Sequence, residues 1–378
     1  MAAPAQPARV RVALDWTPNA NHIGLALAIQ RGFFAEANPP LEVSLISPHA
    51  DGYKTTPAAR LADGGAELAC VPSESVVSWA TWPGGDKPKI RAVATLLQGS
   101  AHAIVTLKSS GISRPALLDG KKYASYGARY EGRIVQEMIR RDGARWREEA
   151  AAAAAASGGG AGAAPAVEGG TGVYSEVTPP MLDIWDAFLK GEADATWIFL
   201  PWEGVMARRA GIELNAFNPD DYVDYGHSPV MAAHPDFIRD KPDVLRAFLS
   251  AARRGYAEAA MFPEAAAEAL RADVAERVAS GEWPQLPAPL EEGLMRDAAR
   301  AVAPYLVGRH GWGHMDMERW SKFVAFLDSA GLLTDKVQSR QPGGASLDDL
   351  RTPGGAGARV APPAAGELAT NEFLPPPL

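Results

Sequence analysis

Strand and helix patterns alternate through the first hundred residues, and this alternation constrains the fold more than any other feature of the chain. Val10, Val12 and Leu14 are separated by polar or small residues, which is the period-two pattern of a strand. Residues 22–30 then have a helical pattern that ends before a glycine. The same criteria predict three more strands and two helices: 41–46, 68–71 and 90–97 as strands, 58–63 and 74–81 as helices. This order predicts βαβ units and a mainly parallel sheet.

A second α/β unit is predicted after residues 101–107, which we interpret as a crossover between two lobes. Its predicted elements are strands at 123–126 and 193–199 and helices at 133–141 and 181–190. Residues 150–172 are a low-complexity Ala/Gly insertion that we expect to be a flexible loop, with 150–156 able to extend the preceding helix. The predicted division is lobe 1 at 9–105, lobe 2 at 106–216, the rest of lobe 1 at 217–335, and a Pro/Gly-rich tail at 336–378.

Within the later part of the chain, two helices and the tail have recognisable patterns. Residues 243–261 place apolar side chains on one face of a helix, and Trp320 and Phe323 mark another helix. The tail is expected to be extended, except that 370–374 (Thr-Asn-Glu-Phe-Leu) is expected to dock back on the protein.

Composition limits the class of partner. The chain has 378 residues, of which 47% are hydrophobic, enough for two cores, and its formal net charge is -8. Without a long basic run, we expect neither nucleic acid nor membrane insertion. The single cysteine, Cys70, cannot form an internal disulfide or a multi-thiolate metal site. Residues 1–8 lack the basic and apolar regions of a secretion signal, so we expect a cytoplasmic protein.

The segment 14–22 (Leu-Asp-Trp-Thr-Pro-Asn-Ala-Asn-His) places polar and aromatic groups at the end of the first strand. Ligands of α/β sheets collect at the carboxyl ends of strands. Trp16, Asn19 and His22 are therefore predicted to line a binding cleft. The alternative is a buried tryptophan with a nearby surface histidine.

Trp202 and Glu203 follow a predicted strand in the same way, with Pro201 at a helix start. Two tryptophans could stack on a heteroaromatic ring while the carboxylate accepts hydrogen bonds from an exocyclic amine. Glu203 is accordingly either paired with a ligand or exposed to solvent, where it would complement the helix dipole.

Other motifs give weaker predictions. The turn from Gly127 to Gly132 feeds a helix, so its N–H groups could hold an anion, or it could merely connect two elements. His310 and His314 have the spacing of helical metal ligands, with Asp316 nearby, but Gly311 and Gly313 argue against a helix and hence against a metal. No Gly-x-Ser-x-Gly elbow and no Walker loop is present, which disfavours ordinary hydrolases and phosphoryl-transfer enzymes.

Several of these segments resemble the SsuA/ThiY-like group, which includes binding proteins for thiamine-precursor pyrimidines and is related to the thiamine-pyrimidine synthases. The matching segments are 14–24, 193–197 with 202–204, 235–238, and 312–316 near 332–333. The resemblance implies an α/β fold of the type II periplasmic-binding-protein-like class, with two α/β lobes joined by two crossovers that close on a ligand. It places Trp16, Asn19 and His22 on one wall, Pro72, Ser73 and Glu74 on another, and Trp202 with Glu203 opposite.

By the same resemblance, Gly127, Arg129, Tyr130 and Glu131 belong to the turn that holds phosphate in the synthases. The synthases also use a pyridoxal-phosphate-bearing lysine, a sacrificial histidine and a cysteine-rich iron-binding stretch. Val71 and Ser75 align with the lysine and histidine. A chain without these groups lacks what that chemistry requires.

We therefore expect a binding protein with an aminopyrimidine thiamine precursor as ligand and with no cofactor and no metal. A downstream thiamine enzyme or a transporter is the expected partner. The alternatives are a pyridoxal-phosphate- and iron-dependent thiamine-pyrimidine phosphate synthase, and a sulfonate-type solute-binding protein.

Overall fold

The computed structural model describes residues 6–85, 87–156, 168–286, 290–339 and 344–376. The strands of these segments are β1 Ala8–Ala13, β2 Leu41–Ile46, β3 Leu68–Val71, β4 Arg91–Thr95, β5 His102–Leu107, β6 Lys122–Ala124, β7 Ser175–Val177, β8 Ala195–Phe199, β9 Leu214–Phe217 and β10 Val230–Ala233. The helices are α1 Ile23–Gln30, α2 Pro57–Ala62, α3 Ser73–Ala80, α4 Glu131–Ala156, α5 Ile184–Leu189, α6 Glu203–Arg209, α7 Pro235–Asp240, α8 Pro242–Met261, α9 Pro263–Ala279, α10 Glu292–Leu306, α11 Met317–Ser329, α12 Leu347–Arg351 and α13 Ala365–Leu368.

The strands form two five-stranded sheets, one in each lobe. Lobe 1 has the order β2-β1-β3-β10-β4, and lobe 2 has the order β7-β6-β8-β5-β9. In lobe 1, β1 runs parallel to β2 and β3, whereas β10 is antiparallel to its neighbours. In lobe 2, β6 runs parallel to β7 and β8, whereas β5 is antiparallel to its neighbours. The predicted two-lobe α/β class is confirmed, and each sheet is mixed because one strand enters it from the other lobe.

Two crossovers connect the sheets. The first, residues 96–101, leads from β4 to β5, and the second, residues 218–229, leads from β9 to β10. Residues 102–107 were expected to form a crossover, with lobe 1 reaching 105. They instead form β5 and pair with β8. The apolar pattern of this segment suits a buried strand in either sheet, so the sequence could not show which lobe holds it.

Packing around the first sheet follows the alternation of its strands. Val10 and Val12 contact the apolar cluster formed with α1, α8, α9 and α10. Ala13, on the opposite face, belongs to a second cluster that continues into lobe 2. Helices α1 and α8 approach closely at Gly24 and Gly255. A Cβ atom on Gly24 would lie 2.2 Å from the Tyr256 ring, so only glycine fits there.

Helices occur in the Ala/Gly insertion and in the tail, where a loop and an extended chain were predicted. Helix α4 extends through Ala156, as the run 150–156 allowed, while the predicted loop at 157–167 lies outside the described residues. The tail was expected to be extended, but it contains α12 and α13. The expected docking of 370–374 is confirmed, since the Thr370 N–H donates to the Ala92 carbonyl and Phe373 is buried.

Residues 335–339 and 344–358, which we call the clasp, make a third set of contacts between the lobes. The clasp leaves lobe 1 after Leu333 and reaches lobe 2, where the Arg351 guanidinium donates to the Tyr174 carbonyl (2.7 Å) and the Gln338 amide donates to Glu176 (2.7 Å). It returns where the Val360 N–H donates to the Leu333 carbonyl. None of the helices in the described segments is both long and apolar enough to cross a membrane.

Candidate functional site

The turn after β1 is held by the side chains of Asn19 and His22. The Asn19 side chain accepts a hydrogen bond from the Asn21 N–H (2.8 Å) and donates to the Thr17 carbonyl (2.9 Å). His22 Nδ1 accepts from the Asn19 N–H (3.2 Å), so Nε2 carries the proton and donates to Asp15 Oδ1 (2.8 Å). His22 is completely buried. The structure thus gives both predicted ligand contacts a structural role, because their polar atoms are engaged within the turn.

Trp16 lies where the lobes meet. It is partly exposed, and its ring lies 5.9 Å from the Tyr53 ring in lobe 1 and 5.5 Å from the Tyr126 ring in lobe 2, between centroids. Its indole N–H donates to the Glu203 carboxylate, also in lobe 2. Trp16 therefore lies at the junction of the two lobes, and its contact with a ligand stays a prediction.

Tyr53 was not predicted from the sequence. Its backbone has φ +60°, a conformation that side-chain-bearing residues rarely adopt, and its hydroxyl donates to the Asp15 carbonyl (2.7 Å). Such backbone strain often accompanies functional sites. The loop between β2 and α2 has no periodicity, so no pattern pointed to it.

Glu203 begins α6, and its carboxylate lies against Trp16 where the lobes meet. It is 5% exposed and accepts a hydrogen bond from the Phe199 N–H (3.1 Å). Burial, with a smaller contribution from the nearby Asp15 carboxylate, raises the pKa of Glu203 to about 7. Glu203 was predicted to be either paired with a ligand or exposed to solvent. The structure buries it, and among the described residues its hydrogen-bond donors include no basic side chain.

Trp202 packs differently from the predicted stacking wall. It is 6% exposed and lies inside the large apolar cluster of lobe 1, with Trp16 at the edge of the same cluster. The two indoles therefore share one core, but only Trp16 keeps a partly exposed position beside the cleft. The sequence does not show whether the ring of an aromatic residue directly after a strand faces a core or a ligand.

Ser73 and Glu74 begin α3, and Pro72 is the residue that precedes it. Glu74 is 5% exposed and accepts a hydrogen bond from the Tyr225 hydroxyl. Its other carboxylate oxygen and the Ser73 hydroxyl have no hydrogen-bond partner among the described residues. Burial raises the pKa of Glu74.

Next to Glu74, the second crossover and the strands β5 and β8 bring three aromatic rings together. Tyr225, from the second crossover, lies 4.8 Å from the His102 ring and 5.4 Å from the Trp197 ring, between centroids. Burial lowers the pKa of His102 to about 3, so this ring is neutral. Neither Tyr225 nor His102 was predicted, although an aromatic residue within a crossover is a signal that could have been followed.

Three N–H groups of the turn from Gly127 to Gly132 already have hydrogen-bond acceptors within lobe 2. The Gly127 N–H donates to the Ser125 hydroxyl (2.8 Å), and the Glu131 carboxylate accepts from the Ala128 N–H (3.3 Å). Arg129 is buried and donates to the Ser78 carbonyl (2.9 Å) at the end of α3. Tyr130 is buried as well, with its hydroxyl 3.0 Å from the Thr81 hydroxyl. These predicted ligand residues instead tie lobe 2 to lobe 1.

Two groups of residues have the composition of a metal site. Ligand atoms of Asp15, His22 and Cys70 all lie within 4.8 Å of one another. However, His22 uses Nε2–H as a donor to Asp15, and the Asn19 N–H at Nδ1 opposes the tautomer that Nε2 coordination needs. Gly311 and Gly313 both have positive φ, so the segment of His310 and His314 is not helical.

Comparison with known proteins agrees with this architecture. The family model described as NMT1/THI5 like matches residues 19–154 and 156–266, which is more than half of the chain. The chain belongs to the NMT1/THI5-like family. It is 25% identical over 332 residues to the formylaminopyrimidine-binding protein of Halalkalibacterium halodurans, covering 87% of each chain.

Solved structures with similar folds are solute-binding proteins. The alkanesulfonate-binding protein SsuA from Xanthomonas axonopodis pv. citri, bound to MOPS, has a TM-score of 0.58 at 14% identity, covering 89% of this chain and 97% of that one. The nitrate-binding protein NrtA from Synechocystis PCC 6803 has a TM-score of 0.55 at 12% identity, covering 97% and 87%. At these identities the likeness concerns the two-lobe fold.

Proposed function

We propose that the protein binds an aminopyrimidine thiamine precursor, of the hydroxymethyl- or formylaminomethyl-pyrimidine type, in the cleft between its lobes. The ligand would serve thiamine biosynthesis or salvage. The observation that carries the proposal is the buried Glu203 carboxyl beside the partly exposed Trp16 ring. An acid without a basic partner is costly to bury, and a ligand with hydrogen-bond donors would offset that cost.

The chemistry of Glu203 suits an aminopyrimidine edge. Near its pKa of about 7, the carboxyl is available in both forms. The protonated form has one donor and one acceptor side by side, which matches a ring nitrogen next to an exocyclic amine. The ionised form accepts from the amine and from a protonated ring nitrogen equally well. Trp16 would contact the ring face.

An alkanesulfonate or nitrate ligand suits this cleft poorly. Asp15 and Glu203 lie near Trp16, and both Glu74 and Glu203 are buried. An anion would add negative charge beside acids whose ionisation burial already disfavours. The sulfonate alternative is therefore disfavoured despite the shared fold.

The synthase alternative finds no support in β3 and α3. Val71, aligned with the pyridoxal-phosphate lysine, ends β3 at 1% exposure, and residues 68–80 contain neither lysine nor histidine. An imine to pyridoxal phosphate requires a primary amine at this position. The residues present do not fit that cofactor.

Calorimetric titration tests the proposal. Wild-type protein is titrated with the two aminopyrimidines and with taurine, and binding is expected for at least one pyrimidine and not for taurine. Glu203→Leu should weaken binding about 10- to 100-fold, as expected for the loss of hydrogen bonds to a charged or charge-sharing group. Glu213→Leu, an exposed acid before β9, is the matched control and should bind like wild type. Heat from taurine alone would refute the assignment.

The cytoplasmic location and the thiamine-enzyme or transporter partner remain predictions. Fractionation of producing cells tests the first. Crosslinking in cells starved of thiamine, followed by identification of the captured proteins, tests the second.

A further inference from the structure

The clasp begins and ends at one place on lobe 1. The Val360 N–H donates to the Leu333 carbonyl (2.9 Å), and the Asp335 N–H donates to the Ala358 carbonyl (2.9 Å). The Ala358 N–H in turn donates to the Asp335 carboxylate (2.9 Å). Because backbone groups close this base on themselves, we treat the base of the clasp as part of lobe 1.

The far end of the clasp, which includes α12, is docked on lobe 2 by side chains. The Arg351 guanidinium lies 4.5 Å from the centre of the Tyr174 ring and donates to the Tyr174 carbonyl (2.7 Å). Leu347 is buried and belongs to the same apolar cluster as Tyr174. The Gln338 amide donates to Glu176 on β7 (2.7 Å). The two ends of the clasp are therefore attached to different lobes.

The docked clasp also encloses the start of α4. An added Cβ atom on Gly132, in the first turn of this helix, would lie 3.1 Å from the Leu347 side chain, so the two segments are in close contact. The Tyr174 hydroxyl donates to the Gly132 carbonyl (2.5 Å). On the lobe 1 side, Arg129 donates to the Thr334 carbonyl next to the base of the clasp (2.7 Å). The start of α4 is thus held from both ends of the clasp.

This part of lobe 2 is connected to the contact with Trp16. Glu131, the first residue of α4, accepts a hydrogen bond from the Tyr126 N–H (3.1 Å). The Tyr126 ring lies 5.5 Å from the Trp16 ring, between centroids. A shift of the start of α4 away from lobe 1 would therefore move Tyr126 away from Trp16 as well.

The attachment of the clasp opposes rotation of the lobes. Domains joined by a hinge rotate about the connecting segments, and the two crossovers would permit such a rotation. The docked end of the clasp is the attachment that we expect to open first, because α12 has five residues and is held by side chains. Segments with few buried contacts open locally at a lower free energy than the rest of a structure.

We propose that the clasp is a latch between the lobes: α12 leaves lobe 2 when the lobes separate, and this undocking controls how fast a ligand enters and leaves their junction. The clasp lies beyond residue 266, where the match to the family model ends, so the family match does not account for it. The part of the proposal that concerns the ligand rests on the proposed function, whereas the part that concerns the lobes does not.

The first experiment measures the separation of the lobes without a ligand. Arg9→Cys on β1 and Glu213→Cys before β9 replace exposed residues of the two lobes, and spin labels on them report the distance by pulsed dipolar spectroscopy. Cys70 is completely buried, so labelling is directed to the two introduced positions. We expect one narrow distance distribution with the native clasp and a second, separate population in Arg351→Ala.

Two further variants complete this experiment. Arg359→Ala is the matched control, because it removes an arginine that contacts Asp328 within lobe 1, and it should keep the wild-type distribution. Gln338→Ala removes the hydrogen bond to Glu176 and should resemble Arg351→Ala, so a folding defect in one variant leaves the other to decide. Distributions of Arg351→Ala and Gln338→Ala that match wild type would overturn the proposal.

The second experiment measures the exchange of the ligand. Binding and release of hydroxymethyl-aminopyrimidine are followed by stopped-flow tryptophan fluorescence in wild type, Arg351→Ala and Arg359→Ala. Loss of a hydrogen bond from a charged group favours the undocked state, so both rate constants should rise about 10-fold in Arg351→Ala and stay unchanged in Arg359→Ala. Rate constants of Arg351→Ala equal to those of wild type would contradict control of ligand exchange by the clasp. If the pyrimidine does not bind at all, the proposed function fails, and the distances measured without a ligand still decide whether the clasp is a latch.

Discussion

Replacing Glu203 by glutamine should stabilise the protein at alkaline pH. In the folded protein, burial raises the pKa of Glu203 to about 7 from the ordinary value of 4.5. A folded state that holds its proton more tightly than the unfolded state loses stability as the pH rises through the interval between the two values. Glu203 therefore does not lower the free energy of unfolding at pH 4. At pH 8 it lowers this free energy by the full amount.

The size of this penalty follows from the same two pKa values. One pKa unit corresponds to about 1.4 kcal/mol, so the penalty at pH 8 is about 3 kcal/mol. Glutamine is neutral throughout, and its oxygen can still accept from the Phe199 N–H. We expect the free energy of unfolding of Glu203→Gln to match wild type at pH 4 and to exceed it by about 3 kcal/mol at pH 8.

Urea unfolding of both proteins at half-unit steps from pH 4 to pH 8 measures the difference. Other titrating groups, including Glu131 and Glu74, are common to both proteins and cancel. Glu213→Gln, an exposed acid, is the control and should give a flat difference. Parallel curves for wild type and Glu203→Gln over the whole range would refute the assignment of a buried, uncompensated acid to the cleft.

Two further substitutions test the packing that positions the site. Gly24→Ala should lower the free energy of unfolding by about 1–3 kcal/mol, because the added Cβ would overlap the Tyr256 ring at 2.2 Å; an unchanged urea midpoint would contradict the close approach of α1 and α8. Arg129→Met should cost about 1–3 kcal/mol, since it leaves buried carbonyls at the end of α3 without a donor. An effect no larger than that of the exposed Arg147→Met would show that Arg129 does not tie the lobes together.

The elements that could be predicted are those with a strong local signal. β2 and β3 were predicted with their observed limits, because short apolar runs bounded by turn residues suit buried strands. The lobe to which 102–107 belongs could not be predicted, since strand pairing depends on contacts distant in sequence. The helices of the tail were missed because α12 and α13 are four or five residues long and depend on capping and docking.

The site was predicted at the level of segments and less well at the level of side chains. An asparagine and a histidine after β1 could bind a ligand or could form hydrogen bonds with the backbone of their own turn. In the structure, Asn19 and His22 form hydrogen bonds with that backbone. Glu203 was selected because burying an acid without a partner is costly. The structure buries it, and this burial raises its pKa. Tyr53 and Tyr225 lie in connections, where their approach to Trp16 and Glu74 is set by the fold alone.

We expect the distribution of acids between the lobes to couple ligand binding to closure of the lobes. Asp15 and Glu74 belong to lobe 1 and Glu203 to lobe 2, so closing an empty cleft brings like charges together. Above pH 7, where Glu203 ionises, this repulsion opposes closure, and a ligand with donors on two edges would remove it. We therefore expect small-angle scattering of the ligand-free protein to give a larger radius of gyration at pH 8 than at pH 5. Glu203→Gln should abolish much of that difference, and a radius that does not change with pH in wild type would contradict the coupling. The clasp should limit the amplitude of opening, because its contact from Arg351 to the Tyr174 carbonyl holds it to lobe 2.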